Sequence, residues 1–110
     1  MAYERLVKKM TVENLWMYIL SSLKNEPKYG YEIRKYVKEK YGFNSGRVTA
    51  YVVLYRLEKE GHIRLKEEKK DALGPPRKYY EITKKGLRTL EDGERFLENI
   101  LKRIRARSSE

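Results

Sequence analysis

Residues 74–86 read Gly74-Pro75-Pro76-Arg77-Lys78-Tyr79-Tyr80-Glu81-Ile82-Thr83-Lys84-Lys85-Gly86, a turn, a strand and a helix start in succession. Gly-Pro-Pro is turn chemistry, residues 78–82 suit a strand, and Thr83 is placed to accept from the N–H groups of a first helical turn. Just upstream, His62-Ile63-Arg64-Leu65-Lys66 alternates as well. The two runs predict a hairpin whose connecting loop, residues 69–76, is polar and too long for a two-residue turn. Its tip is expected to project and to be flexible. Tyr79 and Tyr80 then point to opposite faces of their strand.

Beyond Thr83 the pattern changes period. Leu87, Leu90, Glu94, Leu97, Leu101 and Ile104 follow at alternating spacings of three and four, the seam of a short coiled coil with one charged break. Phe96 and Ile100 widen the apolar face. The spacing predicts a helix over 83–105 with a frayed tail at 108–110. At about 30 Å it is longer than so small a body can cover, so its seam is expected to pair with a second copy.

Upstream of the hairpin, three more helices are expected. Residues 11–24 carry Leu15, Trp16, Ile19, Leu20 and Leu23 at helical spacing after Thr11, and Pro27 ends the run. Residues 29–41 place Tyr29, Ile33, Tyr36 and Val37 on one face, with Gly42 at the cap position. Lys28, Arg34, Lys35 and Lys38 decorate the rest. Residues 45–60 put Ala50, Val53, Leu54 and Leu57 inward and Thr49, Val52, Arg56 and Lys59 outward. Asn44 or Ser45 is the expected cap and Gly61 the stop. The β-branched run from Val48 to Val53 makes a strand the competing assignment there; the leucines and the charged, glycine-closed ending favour helix.

Three helices, a two-stranded hairpin and a long helix make a winged helix-turn-helix, a mainly α fold with an added C-terminal helix. Residues 1–83 are expected to form the winged-helix unit with its N-terminal helix. Residues 84–110 are the dimerisation helix and tail of the same compact unit.

The chain of 110 residues carries 26 Lys or Arg against 16 Asp or Glu, a net charge of +10. That excess points to polyanions, with nucleic acid ahead of an anionic membrane surface. Cysteine is absent and His62 is the only histidine, which excludes disulfide scaffolds, thiolate sites and a multi-histidine metal centre. No nucleophile, base and oxyanion set can be assembled, so an enzyme is not expected, nor is any cofactor. No apolar run is long enough to span a bilayer and residues 1–10 lack a signal-peptide core, so the expected location is the cytoplasm. Abundant Glu and Lys with no Gln fit a thermophile source. Residues 61–86 hold eight basic and four acidic side chains, whereas the third helix is nearly balanced. Affinity for a polyanion is therefore expected from the hairpin and the first two helices.

Four stretches resemble the PadR family of winged-helix transcriptional regulators. They are Tyr29-Gly30-Tyr31-Glu32-Ile33, Thr49-Ala50-Tyr51, Leu54-Tyr55-Arg56-Leu57-Glu58-Lys59-Glu60-Gly61, and the 74–86 stretch, the most specific of them. Together they span about residues 12–90. Ala50 and Val52 stand where the family carries leucine and proline. The resemblance implies a homodimer through the last helix with help from the first. It also implies a palindromic operator in double-stranded DNA, usually repressed, with relief by a small-molecule effector common among members. A drug-binding mode between tryptophans on the last helix is not carried over, because this helix has none.

The expected DNA contacts are Tyr31, Asn44, Ser45, Arg47, Thr49, Tyr51, Lys69, Lys70, Arg77 and Lys78. Arg47 suits guanine or phosphate, Asn44 adenine or phosphate, and the hydroxyls and lysines phosphate. The bland alternatives are capping for Asn44 and Ser45, packing for the tyrosines and a solvated hairpin for the lysines. The expected dimer interface is Leu15, Trp16, Ile19, Leu87, Leu90, Leu97, Ile100, Leu101 and Ile104. Trp16 and Met17 could instead line a ligand space between protomers or belong to the ordinary core. His62 reads as structural. An architectural, sequence-tolerant DNA binder is the competing function, with a protein-interaction module as a third.

Overall fold

The computed structural model describes residues 1–70 and 73–107. The expected loop tip falls partly on Asp71 and Ala72, and the expected frayed tail on residues 108–110; both lie outside the described residues. In chain order the elements are α1 (Ala2–Met10), a 3-10 turn (Val12–Asn14), α2 (Leu15–Ser22), β1 (Lys28–Tyr29), α3 (Gly30–Tyr41), α4 (Arg47–Lys59), β2 (Ile63–Lys69), β3 (Arg77–Ile82) and α5 (Lys84–Arg105). The architecture is a winged helix-turn-helix followed by a long helix.

Helix α1 is an addition to the expected plan. None of its residues is buried, and Tyr3, Leu6 and Val7 are exposed. It also changes the role of Thr11, whose hydroxyl donates to Val7 O at 2.7 Å. Thr11 thus closes α1 and also precedes the 3-10 turn, without a side-chain cap, so α2 begins four residues later than expected.

The core is one cluster drawn from α2, α3, α4, β2 and α5: Leu15, Ile19, Leu20, Leu23, Ile33, Val37, Ala50, Leu54, Leu57, Ile63 and Leu90. The helix periods read from the sequence account for it, since each buried set lies on one stripe of its helix. On α4 the stripe is Ala50, Leu54 and Leu57, which excludes the strand assignment.

The hairpin has a third strand beside it. The sheet order is β1-β3-β2, with Lys28 opposite Tyr80 and Tyr29 opposite Tyr79. This corrects the two-stranded expectation. A strand of two residues shows no alternation, and its partner lies far along the chain. Lys28 is corrected with it: instead of decorating the surface it is buried, its Nζ donating to Ser22 O at 2.6 Å. That bond supplies an acceptor for a cation held away from water. Strand β2 runs three residues past its expected end, with a register shift between Leu65 and Glu67. Its outer half is charged and exposed, so pairing with β3, not burial, sets its length.

The root of the hairpin is tied to the start of α5. Thr83 Oγ1 accepts from Gly86 N at 3.1 Å and donates to Gly61 O at 2.6 Å. Thr83 N donates to His62 O at 3.0 Å. Lys85 Nζ donates to Glu60 O at 2.6 Å, placing a cation at the C-terminal end of α4, where the helix dipole favours one. These bonds fix the direction in which α5 leaves the winged unit.

Candidate nucleic-acid interface

Three local structures position the candidate residues: the start of α3, the start of α4 and the hairpin. At α3, Tyr29 N donates to Glu32 Oε1 at 3.2 Å, closing a capping interaction that turns the chain from β1 into the helix. Gly30 follows. A Cβ there would stand 3.1 Å from the Tyr51 ring and hydroxyl, so the missing side chain is what lets Tyr51 of α4 lie across α3.

At α4 the expected caps are not used. Gly46 is the N-cap, at φ +77°, a region that favours glycine. Asn44 stands two residues before it and accepts from Gly46 N through Oδ1 at 3.1 Å. Ser45 is buried, with its hydroxyl donating to Gly46 O at 3.3 Å. Burial leaves little of Ser45 to meet a ligand, whereas the sequence expectation had it facing DNA. Arg47 and Thr49 are exposed on the first turn of α4. The Arg47 guanidinium lies 5.8 Å from the Tyr51 ring, a cation–π contact that orders it without neutralising it. Tyr51 both packs on Gly30 and keeps about half of its surface open.

On the hairpin, Tyr80 turns inward against the core and Tyr79 packs on Tyr29, ring centroids 5.3 Å apart. Burial raises the Tyr80 hydroxyl above the usual tyrosine pKa, and Glu58 adds to the shift. Lys69 Nζ stands over the Tyr79 ring at 4.8 Å, and Arg77 over Tyr29 at 5.0 Å. Not every hairpin cation is available. Arg64 Nε donates to Glu81 Oε2 at 2.5 Å and Lys66 Nζ lies 3.7 Å from Oε1. The Arg64 bond holds the Glu81 carboxyl below the ordinary glutamate range. Lys69 shares its charge with Glu67 at 3.7 Å. Lys70 and Lys78 are exposed, and among the described residues no acidic side chain pairs with either.

These pieces meet in two open clefts that share Tyr31. One, of about 520 Å³, lies between the hairpin and the helices and is lined by Tyr29, Tyr31, Tyr51, Pro75, Arg77 and Lys78 among others. The second, of about 480 Å³, is lined by Tyr31, Arg34, Lys35, Lys38, Glu39 and Asn44. Arg34 Nε is buried there without a hydrogen-bond acceptor. The structure thus brings Tyr31, Asn44, Tyr51, Arg77 and Lys78 together, with Arg47 beside them. Thr49, Lys69 and Lys70 line neither cleft. It adds Arg34, Lys35 and Lys38, which the sequence pattern places only on the surface of α3. Their signal was present as basic residues spaced one helical turn apart after Tyr31.

The expected dimer residues divide. Leu15, Ile19 and Leu90 belong to this chain's own core and have no surface to offer. Trp16 is half-buried against that core, and its ring comes within 3.3 Å of where a Gly93 Cβ would stand. Met17 packs beside it. Leu97 is half-buried, whereas Leu87, Ile100, Leu101 and Ile104 are exposed, together with Phe96. No helix among the described residues is long and apolar enough to cross a membrane.

Comparison with known proteins identifies the family. Residues 19–92 match the model of the transcriptional regulator PadR-like family. No curated protein sequence matches. Among solved structures, a PadR family transcriptional regulator from Eggerthella lenta is 32% identical at a TM-score of 0.76, covering 94% of this chain and 92% of its own. A PadR-like transcriptional regulator from Bacillus cereus is 34% identical at a TM-score of 0.68, covering 87% and 92%. Bacillus subtilis PadR, solved in complex with operator DNA, is 28% identical at a TM-score of 0.65, and the match covers 72% of this chain but 45% of that one. The chain described here belongs to the PadR-like family of transcriptional regulators.

Proposed function

We propose that this regulator is a homodimeric, sequence-specific repressor that reads an inverted-repeat operator in double-stranded DNA. The observation that carries the reading is the joined surface formed by the starts of α3 and α4 and by the hairpin. Arg34, Lys35, Lys38, Arg47, Arg77 and Lys78 all border it. In this reading the N-terminal turns of α4 enter the major groove, and the clefts on either side seat the phosphate backbone. A relative solved on operator DNA supports the same assignment. The exposed apolar faces of α1 and α5 supply the dimer contact. A two-fold dimer of such units predicts half-sites about one helical turn apart, near 34 Å or a multiple of it. A small-molecule effector, where one acts, works by changing the angle between the two winged helices.

Selection from a random duplex library at physiological salt tests this directly. The expected result is an enriched inverted repeat; uniform retention of all duplexes would instead indicate an architectural binder. Lys78→Ala should weaken binding to every duplex alike and lower the slope of log affinity against log salt by about one. An unchanged slope would remove Lys78 from the phosphate contacts.

A further inference from the structure

The outward face of α4 is apolar where the surface around it is charged. Val48 is 77% exposed, Tyr55 64%, Tyr51 48% and Val52 46%. Val48, Val52 and Tyr55 fall at i, i+4 and i+7, so they form a ridge along the helix, turned away from the buried Ala50, Leu54 and Leu57. Arg56 and Lys59 border its far end, and Arg47 precedes it. Tyr51 borders both this ridge and the cleft holding Arg77 and Lys78. The apolar strip is therefore continuous with the cationic interface and embedded in a surface that favours a polyanion.

The side chains of α4 also limit what it can read. Adenine is read in the major groove by a bidentate Asn or Gln, and α4 has neither; the chain has no glutamine at all. Arg47 suits guanine. A T·A pair also offers thymine's O4 acceptor and its C5 methyl group in that groove, and an apolar side chain reads the methyl by excluding water from it.

We infer that Val48 and Val52 are specificity-determining residues that recognise thymine methyl groups in the major groove of each half-site. The inference rests on the placement of α4 in that groove, and it commits the ridge to DNA instead of a protein partner.

The test uses the duplex enriched by selection, resynthesised with deoxyuridine in place of thymine at one half-site position at a time. Deoxyuridine keeps base pairing and removes only the methyl group. At one or two positions per half-site, affinity should fall about fourfold per methyl, the size expected for one buried carbon. Val48→Ala should lose a similar factor on the thymine duplex and become indifferent to the exchange at one of those positions. Val52→Ala should do so at a neighbouring one. Both side chains lie outside the core, so circular dichroism should show unchanged folding. If every exchange leaves affinity within twofold, or if both variants keep full discrimination, methyl reading is overturned while the interface stands. If no duplex is enriched, or Arg47→Ala and Lys78→Ala leave binding unchanged, the placement of α4 fails and the inference fails with it.

Discussion

Gly86→Ala should destabilise the chain by about 2–3 kcal/mol, although alanine is the better helix former. Gly86 is buried in the first turn of α5, directly against the hairpin root. A Cβ at this position would stand 2.2 Å from His62 O and 2.8 Å from Ile82 Cγ1. The first is a backbone atom already engaged by Thr83 N, so it cannot swing aside as a flexible side chain would. Relief requires the start of α5 to move away from the hairpin root, breaking the Thr83 bonds to Gly61 and His62. The intrinsic gain of replacing glycine in a helix is at most about 1 kcal/mol and does not offset this. Thermal unfolding should show a midpoint lowered by roughly 10–20 °C for a domain of this size. The glycine at residue 93, where the nearest neighbours are the ends of Met17 and Trp16 at 3.2 and 3.3 Å, is the useful control. Gly93→Ala meets flexible or rotatable side chains and should cost much less. Equal effects at the two positions would refute the backbone clash as the cause.

The same contact shows which parts of the fold were legible in the sequence. The 74–86 stretch specifies a strand, a cap and a helix by local chemistry, and Thr83 and Gly86 act through neighbours close in sequence or fixed by the hairpin. Helices α3, α4 and α5 were legible because each buries one stripe, and the stripe repeats at helical period. What escaped depends on distant partners. Strand β1 exists only because β3 presents an open edge beside Lys28 and Tyr29. Lys28 is buried because Ser22 O lies within reach, which no local pattern announces. Ser45 stands at the start of the third helix, where a hydroxyl suits either a phosphate contact or a cap; Gly46 takes the cap, and Ser45 is buried. Helix α1 was the readable omission: Tyr3, Leu6, Val7 and Met10 follow at helical spacing. At the candidate site, the cations were visible as composition. Which of them are already paired was not: Arg64 and Lys66 face Glu81 across the strands.

Leu101→Glu should convert the protein to monomers and lower operator affinity by a hundredfold or more. Leu101 lies on the last turns of α5 and is about half exposed, as are several of its neighbours on the same face. Phe96, Ile100 and Ile104 also expose apolar surface in this half of the helix, more than a helix stabilised only by its own domain would keep in water. The buried residues of α5 are Gly86 and Leu90, its middle packs on Trp16 and Met17 at Gly93, and beyond Leu97 every described residue of the helix is exposed. Leu90 of the three-and-four seam is buried in this chain's own core, so the proposed partner, a second copy of the helix, is expected to meet the exposed part beyond it. Two glutamates brought together across a two-fold seam would be desolvated and mutually repelled, so the contact is lost instead of adjusted. Each winged unit keeps its own groove contacts, so half-site binding should persist. What disappears is the second, intramolecular binding event, which typically contributes a factor of 10²–10⁴. Light scattering should report the change of mass, and titration of the enriched duplex the change of affinity. A variant that still scatters as a dimer places the interface elsewhere, with α1 the next surface to mutate through Leu6. A monomer that binds the full operator as tightly as the parent chain would show instead that one winged unit suffices for recognition.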